Sequence, residues 1–287
     1  MWGWLFVLPT ITGLIILNVY PIFRTIWQSV HRVGDFGRGN EFVGFDNYVR
    51  LFTGTEVINS IWQATFNTFF YTALEVPVSI AIGLVLAVFL NEKIRGRTLF
   101  RTIFFLPMVA APAAIAMVWL WLYNPRYGLI NNAFNLGVHW TTDGNIAMFS
   151  MAIIGIWSVI GYNMILFLAG LQTIPRDYYE ASAIDGATGV RQFFKITLPL
   201  ISPMLFFVAV TRVMAAMQIF DTIYMVIGLV GNPAMPRVQS LVFLFYREAF
   251  MATNWGRGAA VVVWLMLLIG LVTLIQFLVQ KKWVHYE

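Results

Sequence analysis

Along the 287 residues, apolar positions gather in long runs instead of alternating or forming narrow stripes. A membrane-spanning helix needs about 20 predominantly apolar residues, and a window of about 19 residues finds about six such runs. They fall at about Trp4 to Ile26, Thr68 to Leu90, Phe100 to Leu122, Ile146 to Leu171, Pro203 to Leu229 and Ala259 to Val279. Trp2, Trp4 and Trp27 flank the first run as interfacial aromatics do. A polar stretch from Gln28 to Asn67 follows, with Gly34, Gly37, Gly39 and Gly44. It turns semi-amphipathic through Phe45, Tyr48, Leu51 and Phe52, the pattern of a loop followed by a short interfacial helix. No backbone group can stay unpaired in hydrocarbon, and runs this long without strict alternation are helices and not barrel strands. The predicted fold is an all-α membrane protein of about six transmembrane helices. One transmembrane domain covers 1–287, with an extracytoplasmic loop at 28–67 and a cytoplasmic loop at 172–199. Prolines such as Pro9, Pro77, Pro107 and Pro112 mark kinks or broken helices within the runs.

Composition agrees. Apolar residues make up 60% of the chain and charged ones 11%, against roughly 45–50% and roughly 25% in a soluble domain. There is no cysteine, which excludes disulfides and thiolate metal sites, and His31, His139 and His285 all lie outside the apolar runs, so no metal site is expected. The net charge of +5 sits in short loops and not in one stripe, which speaks for topology and against nucleic acid. One set of alternate loops holds Lys93, Arg95, Arg97, Arg101, Arg176, Arg191, Lys195, Lys281 and Lys282. It is roughly twice as dense in positive charge as the other set, which places these loops and both termini in the cytoplasm. Met1 and Trp2 lead straight into the first run, so that run reads as a retained anchor, not a cleaved signal.

The loop before the fifth run carries the most information. Pro175 and Asp177 make a helix start, Tyr179 to Ala183 is helix-compatible, and Gly186 is a stop. A second short helix is predicted from about Val190 to Ile196, presenting Val190, Phe193, Phe194 and Ile196, before Pro199 ends it. Two short helices about a glycine turn form a compact docking element, with Glu180 and Asp185 offering charge. From these residues alone, an interfacial loop packed on the protein's own helices is equally compatible.

The spacing resembles a known family. Glu180-Ala181-Ser182-x-x-Asp185-Gly186-Ala187, then nine residues after Gly186, then Ile196-x-Leu198-Pro199, looks like the EAA loop of permease subunits of binding-protein-dependent ABC importers. Ser182 stands where alanine is commonest. Flanking segments, including Phe42 to Tyr48, Leu171 to Pro175 and Phe220-Asp221-Thr222, resemble the maltose and glycerol-3-phosphate class; Gly231-Asn232-Pro233 is a weaker match to that class's Gly-Gly-Pro. The resemblance implies the transmembrane domain of a maltose-permease-like type I importer in a prokaryotic inner membrane, surrounded by lipid. It also implies a second homologous permease, an ATPase dimer that binds ATP and magnesium, and an extracytoplasmic solute-binding protein. The EAA loop would be a coupling helix seated on the ATPase, and the cargo a sugar or related polyol. The chain itself would be no enzyme and hold no cofactor, consistent with its lack of a Gly-x-x-x-x-Gly-Lys-Ser/Thr phosphate loop.

Ionisable residues inside spans are costly and usually functional; here they are Glu75, Arg212 and Asp221. On a continuous fifth helix, Gln218 and Asp221 lie within about 60° of each other, with Arg212 roughly opposite Asp221. Gln218 and Asp221 are candidates for the translocation path. The resemblance adds Arg212 and Tyr162 as solute-lining positions, with Asn163 a polar neighbour. Glu75 is a further candidate, or pairs with the partner permease. Three other readings remain: an ion-coupled secondary transporter titrating Glu75 or Asp221, the same machinery carrying glycerol-3-phosphate on Arg212, and a non-transporting scaffold. The chain shows no internal repeat of the kind secondary transporters often carry.

Overall fold

The computed structural model describes residues 2–33, 40–53, 58–92, 95–228, 231–282 and 284. Gly34, Gly37, Arg38 and Gly39 of the polar stretch, Lys93, Leu229, Trp283 and His285 to Glu287 lie outside the described residues. Four helices are long and apolar enough to cross a membrane alone: Phe6–Ser29, Ser60–Asn91, Ala147–Leu171 and Trp255–Gln280. Two bent pairs, Arg97–Val109 with Pro112–Leu122 and Gly189–Leu200 with Ser202–Ala216, raise the number to 6 when each pair is one span. The fold is the expected helical membrane fold. Extended structure among the described residues is one small antiparallel hairpin, with His31 opposite Phe42 and Arg32 opposite Glu41.

Prolines shape these spans in two ways. In the third span the halves meet at 101°, and Ala110 and Ala111 between them take extended backbone. Pro112 opens the second half, a position where a missing N–H costs nothing. Elsewhere a wide helical turn absorbs the ring. The π turn Ile15–Val19 comes just before Pro21, and Phe193–Thr197 just before Pro199. One extra residue in the turn moves the carbonyl that the ring would strike. This corrects the expectation that Pro199 ends the second helix of the 172–199 segment. That helix runs on to Leu200 and bends by 68° into Ser202–Ala216.

Two compact units can be distinguished; of the three dividing lines, two fall inside continuous helices and one, at 238/239, between helices. The first comprises Met1–Phe66 and Gln239–Ile269. Its core includes Leu51, Ile61, Ala64, Leu241, Leu244 and Val261. The short helix Asp46–Thr53 is the interfacial helix expected from Phe45 to Phe52. Asn47 ties it down, donating to the carbonyls of Ser29 at 2.9 Å and His31 at 3.0 Å. Two boundaries differ from expectation here. The second span's helix begins at Ile58, about ten residues before the apolar run. Its 34 residues measure about 50 Å at 1.5 Å each, well beyond a hydrocarbon core of about 30 Å; the early turns pack through Ile61 and Ala64 against Leu51 and Leu241, a packing to which hydropathy is silent. Leu241–Tyr246, continued by Arg247–Met251, is helical where a plain loop was expected.

The second unit comprises Asn67–Val238 and Gly270–Glu287. Spans two, four and five share a core of Leu84, Ala87, Phe167, Leu168, Ile201 and Val208. Span four, Ala147–Leu171, is met at its glycines. A side chain at Gly155 would strike Tyr71 and Glu75, one at Gly161 the backbone of Phe104, and one at Gly170 the side chain of Met204. Small residues at such points let helices approach closely, which is how spans associate where no hydrophobic drive exists.

Candidate functional site

The 172–199 segment forms its helices largely by local rules. Arg176–Ile184 follows Pro175, whose extended backbone opens it, and Asp177 places a negative charge in the first turn. The helix closes on Gly186, at φ +74°. There the N–H of Ala187 donates to the Ser182 carbonyl at 2.9 Å and that of Gly186 to the Ala183 carbonyl at 3.0 Å. This pair of bonds is a Schellman closure, which needs the left-handed conformation that glycine takes at little cost. The following helix is stapled back. Gln192 donates to Ser182 Oγ at 2.9 Å and to the Tyr179 carbonyl at 3.2 Å, and the hydroxyls of Tyr179 and Thr197 lie 3.0 Å apart. Ser182, the departure from the commonest alanine, is thus a member of the staple. Outward stand Glu180, Ala181, Asp185 and Gly186, with Ile184 (88% exposed), Val190 and Phe194 beside them. Ala187, Ile196, Leu198 and Pro199 are half-buried.

Inside the spans lies a polar chain. Arg212 Nη2 donates to Glu75 Oε1 at 2.8 Å, joining spans five and two. The Glu75 side chain is fully buried and that of Arg212 is 13% exposed. Ser79, one turn from Glu75, accepts a hydrogen bond from Asn163 Nδ2 at 3.3 Å, bringing in span four. Gly83 permits this contact, since a Cβ there would stand 2.7 Å from that of Asn163. Glu75, for which a partner permease was the alternative source of a counter-charge, finds a cation in Arg212 of its own chain.

A cleft of about 310 Å³ opens beside the break in span three, lined among others by Pro107, Pro112, Ser158, Asp221 and Thr222. Asp221 is exposed in it. The continuous fifth helix assumed for Gln218 and Asp221 does not exist. It ends at Ala216, and the N–H groups of Gln218 and Ile219 bond only three residues back before the chain turns helical again at Asp221. The angular relation drawn between those residues falls with it. Gln218 spends its amide on the Met214 carbonyl at 2.9 Å. Tyr162 is half-buried next to Asn163, and neither it nor Gln218 is among the residues lining the cleft.

Residues 79–285 match the family described as binding-protein-dependent transport system inner membrane component. The chain belongs to that family. It is an importer permease, and its similarity to individual members runs through nearly its whole length. The sn-glycerol-3-phosphate transport system permease protein UgpA of Yersinia pestis bv. Antiqua is 36% identical, covering 99% of this chain and 95% of the relative. UgpA of Pectobacterium atrosepticum is 36% identical over 98% and 94%, and that of Salmonella choleraesuis 33% over 99% and 95%. Among solved structures, a chain of a bacterial ABC transporter involved in import of the acidic polysaccharide alginate superposes with a TM-score of 0.84. It is 21% identical and covers 97% of this permease and 94% of that chain, which shows a shared fold.

In this permease the helix-turn-helix shape of 172–199 was legible from Pro175, Asp177 and Gly186. The Glu75–Arg212 pair was not, although both residues stood out singly. Their separation of 137 positions leaves no local signal; two opposite charges in different spans, each in need of a partner, were the available hint.

Proposed function

We propose that this permease and a second one of the same family together form the translocation path of an ATP-driven importer for a sugar or related polyol. An external solute-binding protein delivers the cargo, and a separate ATPase dimer, which holds ATP and magnesium, supplies the energy. Both termini and the 172–199 segment face the cytoplasm, where Glu180 to Ala187 is the coupling helix and Ile196, Leu198 and Pro199 anchor it to span five. The supporting observation is the preformed closure at Gly186, with acidic and apolar side chains standing outward and unused by the chain's own packing. A rigid element of this kind binds without an ordering cost.

Tyr162, Asn163, Arg212, Gln218, Asp221 and Glu75 remain the proposed path residues, with different weights. Asp221 belongs to an open cleft whose size suits a monosaccharide-sized ligand. Asn163, Arg212 and Glu75 belong to a buried polar chain at the junction of spans two, four and five. The second reading, transport of glycerol-3-phosphate, is favoured by the names of the relatives.

Affinity purification from native membranes in mild detergent, with mass identification of co-purifying chains, tests the assembly. An ATPase and a second permease are expected; a chain that transports alone without ATP would overturn the proposal. In the assembled importer, Gly186→Asp or Glu180→Lys is expected to leave membrane insertion intact while uncoupling ATP hydrolysis from uptake.

A further inference from the structure

Resting on the importer reading above, we infer that the permease admits uncharged, hydroxyl-rich solutes and turns away phosphate esters, and that Glu75 sets this preference by masking Arg212. Arg212 is the cation that a phosphate would seek, since guanidinium matches phosphate geometry with paired donors. Here its Nη2 is already committed to a carboxylate at 2.8 Å, and that carboxylate is the more deeply buried of the two. Glu75 cannot turn to water. Its aliphatic stem packs where Gly155 leaves room, a Cβ at Gly155 standing 3.3 Å from Glu75 Cγ. The Asn163–Ser79 contact closes the region one turn further along span two.

The neighbouring cleft has the same character. Its lining includes Ser158, one turn beyond Gly155 on span four, and its one ionisable side chain is Asp221, an acceptor. The break in span three adds to this, because Pro107 and Pro112 have no N–H to offer to an anion. Among the lining residues there is no Lys or Arg. The lining is otherwise largely apolar, which suits the C–H faces of a sugar while Asp221 accepts from its hydroxyls, whereas a phosphate dianion brings negative charge toward Asp221 with no cation among the lining residues to meet it. The mask and the cleft therefore exclude the same class of solute.

This sequence contains no cysteine, so Ser158→Cys, in an importer assembled with partner chains whose own cysteines are replaced by serine, gives a single reporter inside the cleft, with Thr222→Cys as a second on another wall. Cationic and anionic methanethiosulfonates of similar size are the probes, being small charged solutes themselves. Their rate ratio is referred to that of a free thiol in water. With native Glu75 the cation is expected to be favoured. Glu75→Gln should lower the cation-to-anion ratio about tenfold, because it leaves the charge of Arg212 uncompensated behind Gly155, one turn from the Ser158 position, at intermediate dielectric. Arg212→Gln should raise it, and the double variant should return it toward the parent value, which a general loosening of packing would not do. An unchanged ratio in Glu75→Gln, an anion preference in the parent, or failure of both cysteines to react in any nucleotide state would overturn the inference. The importer reading is scored separately in the parent by whether vanadate-trapped ATP changes the labelling rates. If the ratios behave as stated while nucleotide has no effect, that reading fails and the mask stands.

Discussion

Glu75 and Glu248 are both buried glutamates held by arginine, and they are built differently. Glu248 sits between neighbours in sequence: Arg257 Nη2 is 3.0 Å from Oε2 as an ion pair without hydrogen-bond alignment, and Arg247 Nη2 is 3.6 Å from Oε1. Arg247 also donates to Gln239 at 3.0 Å, while the N–H of Asn254 donates to the Glu248 carbonyl at 2.8 Å. Asn254 in turn accepts from the Arg257 N–H at the start of span six. Everything in that cluster lies within one short stretch of chain, from Gln239 to Arg257. Glu75 has one arginine, from a different span 137 residues away. A local cluster fixes how a helix begins; a long-range pair records how two spans stand to each other. Only the second can change when the spans rearrange.

The contrast can be broken by removing cations one at a time and following denaturation of the purified assembly in nanodiscs. Arg212→Leu leaves Glu75 buried with no counter-charge and is expected to cost most, about 3–5 kcal/mol. Arg257→Leu should cost less, about 1–3 kcal/mol, because Arg247 remains to share the load on Glu248. Glu41→Gln, which removes the exposed hairpin pair with Arg32, should leave the transition where it was, since pairs in water contribute little. A larger effect for Arg257→Leu than for Arg212→Leu would mean that the local cluster, not the inter-span pair, holds the protein together.

How much could be read ahead of the structure follows the same division. Span four was placed within a residue of its observed limits, because a fully apolar run of that length has one solution in a membrane. The turn at Gly186 was visible because a Schellman closure is written in adjacent residues. Span five was misjudged: from Pro203 to Leu229 the hydropathy is continuous, and nothing local announces the turn at 217–220. The early start of span two was hidden as well, because Ile61 and Ala64 are buried by protein, not by lipid. Pro77 and Pro107 look alike in sequence, yet the first sits within an unbroken helix and the second adjoins a right-angled break. Pro112 five residues on makes the difference, by denying the ladder a second donor before it can resume.

Span four touches its neighbours at Gly155, Gly161 and Gly170, where backbone meets a side chain or another backbone. Helices that interlock through long side chains must trade rotamers before one can slip past another, and such packing behaves as a ratchet. Contacts on glycine have no teeth. At these three points spans two, three and five meet span four on smooth bearings, and what grips them lies elsewhere, in the shared apolar core of Leu84, Phe167, Leu168 and Val208 and in the Glu75–Arg212 pair that ties span two to span five.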